Sequence, residues 1–168
     1  NGVFAMDQFP HVHLDRAASR LRSPDFRHVP FRLAENGAVL HWWPLIQPDA
    51  ATEASVGIVD ALAQVIRCQP RHLAVAALDS ALYRGLLDQA GLAEVFGAVP
   101  DKYQPLAGLV DGRAESGAET VLRLIVHDAG YRYRVQVPFG DGFSRMDLLV
   151  DDRLVLEADS RLAHDGWD

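Results

Sequence analysis

Cysteine occurs once in the 168 residues, at Cys68, so an internal disulfide and a multi-cysteine zinc site are both excluded. No apolar run approaches the roughly 20 residues needed to cross a bilayer. No basic-then-apolar leader opens the chain, so nothing marks it for secretion, and a cytoplasmic setting is the default expectation. The chain begins at Asn1 rather than Met, so it reads as a fragment that a leader or an upstream domain could precede. Internal repeats and low-complexity tracts are absent, which argues against solenoids and disordered linkers. Lysine is nearly absent: fifteen of the sixteen basic residues are Arg, the side chain best suited to bidentate phosphate contacts.

What is present is globular. Hydrophobic residues make up 49% and charged residues 23%, enough for one domain or for two small ones sharing an interface. The net charge of −7 opposes a polyanionic partner at first sight, but it is unevenly spread. Residues 1–47 carry +1, whereas 48–112 and 113–168 carry −4 each. Several acids of the last segment crowd between Asp147 and Asp159, where a cation or neighbouring Arg must offset their repulsion.

The first stretch reads as short strands, His11–Leu14, Val29–Leu33 and Ala38–Trp43, with Asn36-Gly37 signalling a hairpin between the last two. From Thr52 the period becomes helical through Val56, Val59, Leu62, Ala63 and Ile66, with Thr52 and Ser55 at its start. A second helix is expected from Pro70 to Gly85, a third from Asp88 to Phe96, and a short one over Leu106–Val110. Ser116-Gly117-Ala118-Glu119 matches the capping box and opens a helix to Ala129, stopped by Gly130. Strict alternation then puts Tyr131, Tyr133, Val135 and Val137 on one strand face and Arg132, Arg134 and Gln136 on the other. Strands over Arg145–Val150 and Arg153–Asp159 follow.

Strand parity gives the acids chemical meaning. Glu157 and Asp159 leave one face while Leu154, Leu156 and Ala158 enter the other. A two-residue loop, Asp151-Asp152, would pair Asp147 with Leu156 on the wrong face. A three-residue loop, Asp151-Asp152-Arg153, or an equivalent bulge, pairs it with Glu157 at a Cβ separation of about 5 Å, and this is the expectation here. Carboxylates so grouped suit a hard cation such as Mg²⁺ (or Mn²⁺), which would activate water and neutralise charge on a phosphodiester.

Glu119, Gln136-Val137, Arg145-Met146-Asp147-Leu148-Leu149, Leu156-Glu157-Ala158-Asp159-Ser160 and His164 together resemble the successive motifs of a bacterial endonuclease family. That family is similar to the very-short-patch-repair (Vsr-like) endonucleases of the PD-(D/E)xK nuclease superfamily. The motif resemblance covers residues 113–164, and the Ala76–Leu82 stretch extends it upstream. It implies an α/β fold in which a β-then-helical region, 1–110, precedes a three-layer restriction-endonuclease-like core, 111–168, built as a helix and a mixed β-sheet. It also implies that the core is truncated at its C-terminus, since the family continues with an Arg-rich helix and another strand. Carried over by position, Asp147, Glu157 and the carbonyl of Ala158 would be metal ligands. Asp159 stands in the place of the superfamily's lysine, His164 would be a general acid/base or phosphate contact, and Glu119 an outer ligand or orienting group. Gln136 and Arg134 would lie beside the scissile phosphate, with Arg132, Arg145 and Arg161 as further DNA contacts. Ser160 replaces the family's usual Gly. The implied partners are DNA, a second copy of the chain in a homodimer, and a toxin–antitoxin or abortive-infection context, with no membrane. A non-catalytic DNA-binding or antitoxin-like regulator on the same scaffold is the rival reading, and a protein-interaction module carried by the helical middle is a third.

Plainer readings accompany these. The capping box alone accounts for Glu119, Asp151 and Asp152 are turn residues, and the acids could be the solvated face of an edge hairpin. His11 and His13 form an H-x-H that lacks a third ligand at a recognisable spacing, so a strand-face pair is expected. Of Trp42 and Trp43, at least one is expected in the core, although aromatic residues beside His41 could also stack bases. Cys68 is expected as a buried apolar residue, and Asp60, Asp79 and Asp88 as helix-surface or cap residues.

Overall fold

Helices dominate the middle of the chain and strands its two ends in the computed structural model, which describes residue 3 and residues 9–23, 28–30, 37–140 and 144–158. The fold is mixed α/β. The first helix, α1 (Ile58–Cys68), buries Val59, Leu62, Ala63 and Ile66, the apolar spacing that announces it. It starts behind Gly57 rather than at Thr52. Thr52 and Ser55 instead close on each other: the Thr52 N–H donates to the Ser55 carbonyl at 2.7 Å, and the Ser55 N–H to Thr52 Oγ1 at 3.0 Å. Hydroxyls that satisfy nearby backbone groups in this way favour a turn over a helix.

α2 (Arg71–Tyr83) is the central element, because every residue from Ala74 to Ala81 is buried. A helix with no exposed stripe over its middle has neighbours on all sides. Gly85, at φ +66°, ends it, and the amides of Leu86 and Leu87 return to the Ala81 carbonyl at 2.9 and 3.2 Å. α3 (Gln89–Ala98) is capped by Asp88, whose Oδ1 accepts from the Gly91 N–H at 2.7 Å. The short helix expected at Leu106–Val110 is a 3₁₀ segment over Asp101–Leu109 that contains Pro105. The ring has no N–H to continue an α-helical ladder.

α4 (Gly117–Asp128) begins as the capping signal predicts, with Ser116 Oγ accepting from the Glu119 N–H at 3.2 Å. The return bond is shifted by one residue: Glu119 Oε2 accepts from the Glu115 N–H at 2.9 Å, not from that of Ser116. Ser116→Ala is expected to cost about 0.5–2 kcal/mol in urea unfolding. Gly130, at φ +79°, takes the chain out of the helix.

β3 (Tyr133–Pro138), β4 (Arg145–Val150) and β5 (Leu154–Leu156) form an antiparallel sheet in sequence order. The expectation of a mixed sheet in three layers is corrected to this extent: among the described residues the sheet is purely antiparallel, with α4 on one face. Leu148 and Val150 are buried against Val126, with Leu122, Tyr133, Val135 and Leu156 around them. Leu124 of the same helix turns the other way and joins the main core of α1–α3. α4 is therefore shared by two cores.

At the other end, β1 (His11–His13) pairs in parallel with β2 (Val39–His41), His11 with Val39 and His13 with His41. The hairpin expected through Asn36-Gly37 falls largely on residues 31–36, outside the described residues. No helix among the described residues is long and apolar enough to cross a membrane.

Candidate functional site

The β4–β5 register decides whether the predicted acids can meet. Leu148 pairs with Leu156, Leu149 with Val155 and Val150 with Leu154, leaving Asp151, Asp152 and Arg153 as the loop. This is the three-residue connection expected, not the two-residue alternative. Asp151 and Asp152 take it at φ +47° and +56°, a region Asp tolerates better than most residues, and the Arg153 N–H returns to the Val150 carbonyl at 3.0 Å. Extending the ladder by one residue sets Asp147 opposite Glu157. Asp147 is half-buried on the sheet face away from Leu148 and Val150, hence outside the hydrophobic layer. Its Oδ2 accepts from the Ala158 N–H at 2.9 Å, which ties the chain just beyond β5, where Glu157 lies, to Asp147. Glu157 is exposed and Ala158 half-buried.

On the other side of β4 the ladder pairs Val135 with Leu148 and Val137 with Met146, so Gln136 stands across from Asp147. The Gln136–Asp147 step is itself missing from the ladder, because Gln136 adopts φ +51°. A left-handed backbone costs a residue other than glycine about 1–2 kcal/mol. Here it redirects the side chain. Alternation would leave Gln136 beside Arg134, but Gln136 Nε2 donates to Glu119 Oε2 at 2.9 Å, towards the start of α4. Glu119 thus receives two donors, Glu115 N–H and Gln136 Nε2, and links the helix cap to the row Gln136–Asp147–Glu157. Backbone strain held in place by surrounding bonds is characteristic of functional sites.

The described arginines of the predicted DNA face all have acidic partners within the chain. Arg134 Nη2 lies 2.8 Å from Asp152 Oδ1 and Arg132 Nε 3.7 Å from Asp151 Oδ1, while Arg145 pairs with Glu115. Arg132, Arg134, Asp151 and Asp152 line a cleft of ≈ 200 Å³ on the outer face of the sheet. Such exposed pairs are weak and exchange readily for a phosphate. Asp159, Arg161 and His164 lie outside the described residues.

Several residues behave differently from their plainer readings. Asp60 is buried, and its carboxylate accepts from the Ile46 and Gln47 amides at 2.6 and 3.0 Å. Asp79 is fully buried and accepts from Arg123 Nη2 and Thr120 Oγ1 of α4, both at 2.8 Å, and from the Asp111 N–H at 2.7 Å. Burial pushes the Asp79 carboxyl above its ordinary range, against the downward pull of those donors. Neither Trp is core: Trp42 and Trp43 are both exposed, and the Arg67 guanidinium lies 4.8 Å from the Trp43 ring.

The H-x-H pair acquires the partners that sequence spacing did not offer. Parallel register places His11, His13 and His41 on one face of the ribbon. His11 Nδ1 lies 2.8 Å from His41 Nε2 and 3.6 Å from Cys68 Sγ, with the two imidazoles stacked. Cys68 is half-buried, not the enclosed apolar residue expected. Burial, then the neighbouring His11 and His13, hold His41 below the ordinary imidazole value. No local signal joins these three stretches of sequence.

Comparison with protein-family profiles, curated proteins and solved structures finds no significant match to the chain.

Proposed function

We propose that the chain is a metal-dependent DNA endonuclease-like protein whose site is the row Gln136–Asp147–Glu157 with Glu119 behind it. The observation that supports the reading is the β4–β5 register, Leu148 opposite Leu156, which continued by one residue would set Asp147 across from Glu157. In this reading the helix, strand, strand, strand order of 117–156 is the start of a restriction-endonuclease-like core. Asp147 and Glu157 are oxygen donors suited to Mg²⁺ or Mn²⁺, with the Ala158 carbonyl as a third candidate ligand. The bound ion would supply charge neutralisation at the phosphodiester and a more acidic water. The chain's own groups do the rest. Ala158 N–H holds Asp147 in orientation, Arg134 flanks the phosphate, and Gln136, expected beside it, is instead held by Glu119 towards the start of α4.

The same face supports a second reading, a non-catalytic DNA-binding or antitoxin-like regulator, in which phosphates displace the weak exposed ion pairs of Arg132, Arg134 and Arg145. A cleavage assay on supercoiled and linear duplex DNA with Mg²⁺ or Mn²⁺ tests the first reading. Cleavage that requires the metal and disappears in Glu157→Ala is the expected result. Salt-sensitive DNA binding without cleavage would select the regulator instead.

A further inference from the structure

We propose that His11, His41 and Cys68 form a binding site for a borderline divalent transition metal, Zn²⁺ in the first place, separate from the acidic row. The three ligand atoms come from β1, β2 and the last turn of α1, and all lie within 4.8 Å of one another. Around a four-coordinate Zn²⁺ with Zn–N near 2.0–2.1 Å and Zn–S near 2.3 Å, neighbouring N and N sit about 3.3 Å apart, and N and S about 3.6 Å apart. The His11 Nδ1 to Cys68 Sγ distance, 3.6 Å, already matches. The His11 Nδ1 to His41 Nε2 distance, 2.8 Å, is that of a hydrogen bond between rings; it opens by about half an ångström when a metal takes the place of the shared proton, which passes through solvent to the far nitrogen of the ring that carried it.

The surroundings suit the role. Gln69 Nε2 lies 3.3 Å from His11 Nε2, and rotation of that amide presents its oxygen to an Nε2–H once Nδ1 is committed to the metal. Gln64, buried on the same face of α1, holds the neighbouring His13 Nδ1 at 3.2 Å. The donor set, two imidazoles and one thiolate, selects zinc-like metals over the hard, oxygen-seeking Mg²⁺. Three protein ligands leave a fourth position for water, and His11, alone of the three, also lines a neighbouring cleft of ≈ 300 Å³ with His13, Gln64 and the 51–56 loop. Binding releases the Cys68 thiol proton to solvent as the S–metal bond forms.

Titration of the metal-free protein with Co²⁺ tests this, because Cys68 is the sole source of a thiolate-to-cobalt band. The expected result is a near-ultraviolet charge-transfer band with visible absorption of four-coordinate intensity, saturating at one cobalt per chain and erased by Zn²⁺. Cys68→Ser removes the charge-transfer band. His11→Gln, an exposed position, weakens affinity by more than the roughly 10–100-fold caused by losing an outer-shell partner. Far-ultraviolet circular dichroism of both variants verifies that the fold is kept. A weak six-coordinate spectrum, a band that survives in Cys68→Ser, or a plateau at half a cobalt per chain would each overturn the site.

Discussion

Arg123→Met is expected to lower the unfolding free energy by about 3–5 kcal/mol, the usual cost of removing one partner from a buried ion pair. Asp79 and Arg123 are both almost fully enclosed, with side chains 1% and 4% exposed, so water cannot replace the lost guanidinium. Methionine keeps most of the aliphatic volume, so the loss reports charge and hydrogen bonding rather than a cavity. The loss should shrink in acid. Burial already holds the Asp79 carboxyl above its ordinary range, and removing the cation raises it further. A carboxyl whose folded value exceeds its unfolded one binds a proton more tightly when folded. Stability is therefore recovered as pH falls through the folded value, and the recovery is complete below the unfolded value of about 3.9. Replacing both partners, Asp79→Leu with Arg123→Met, should restore much of the loss, because an apolar pair leaves no stranded charge. Urea unfolding of the two single variants and the double variant measures the coupling. Strict additivity of the two single losses would refute it. Among the described residues Arg123 Nε has no hydrogen-bond partner, so the native pair is itself imperfectly satisfied, which favours recovery by the apolar pair.

Asp147→Asn is expected to reduce metal-dependent DNA cleavage by more than about 100-fold while leaving the unfolding midpoint nearly unchanged, a prediction that rests on the proposed nuclease reading. The asparagine oxygen can still accept the Ala158 N–H that Asp147 Oδ2 accepts, so the bond between β4 and the chain beyond β5 survives. What is lost is one negative charge in the row, and with it the grip on a hard cation. Single-turnover cleavage at saturating Mn²⁺ distinguishes a weakened ion site from a lost one: partial rescue at high Mn²⁺ marks the former. An Asn variant that cuts as fast as the parent would remove Asp147 from the chemistry.

Features set by local pattern were legible in the sequence. β4 falls at Arg145–Val150 as expected, and Ser116 caps α4 as the capping box predicts. The β4–β5 register was only half legible: alternation left a two-residue and a three-residue loop open, and the longer one was expected because it pairs Asp147 with Glu157. Features that depend on distant partners were not. Asp79 reads as a helix-surface acid until Arg123, 44 residues away, is packed against it. Cys68 and His41 reach His11 across 57 and 30 residues, and no short motif records that meeting. Gln136 sits in an alternating run whose simplest continuation is extended, and only the bond to Glu119 accounts for its left-handed backbone. Both tryptophans violate a sound burial argument, in Trp43's case because a cation shields the ring instead of the core.

The double duty of α4 bears on how this architecture can change. Leu124 belongs to the helical body and Val126 to the sheet, two residues apart on one rod. Among the described residues the strands β3–β5 offer only Leu148 and Val150 as deeply buried anchors of their own, too small an apolar store to stand alone. A recombination event that cut the chain near residue 110 would strip α4 of its inner wall and leave the hairpins without a support. The inheritable module is the helical body, the rod and the sheet together, and its outer strands are the part free to diversify.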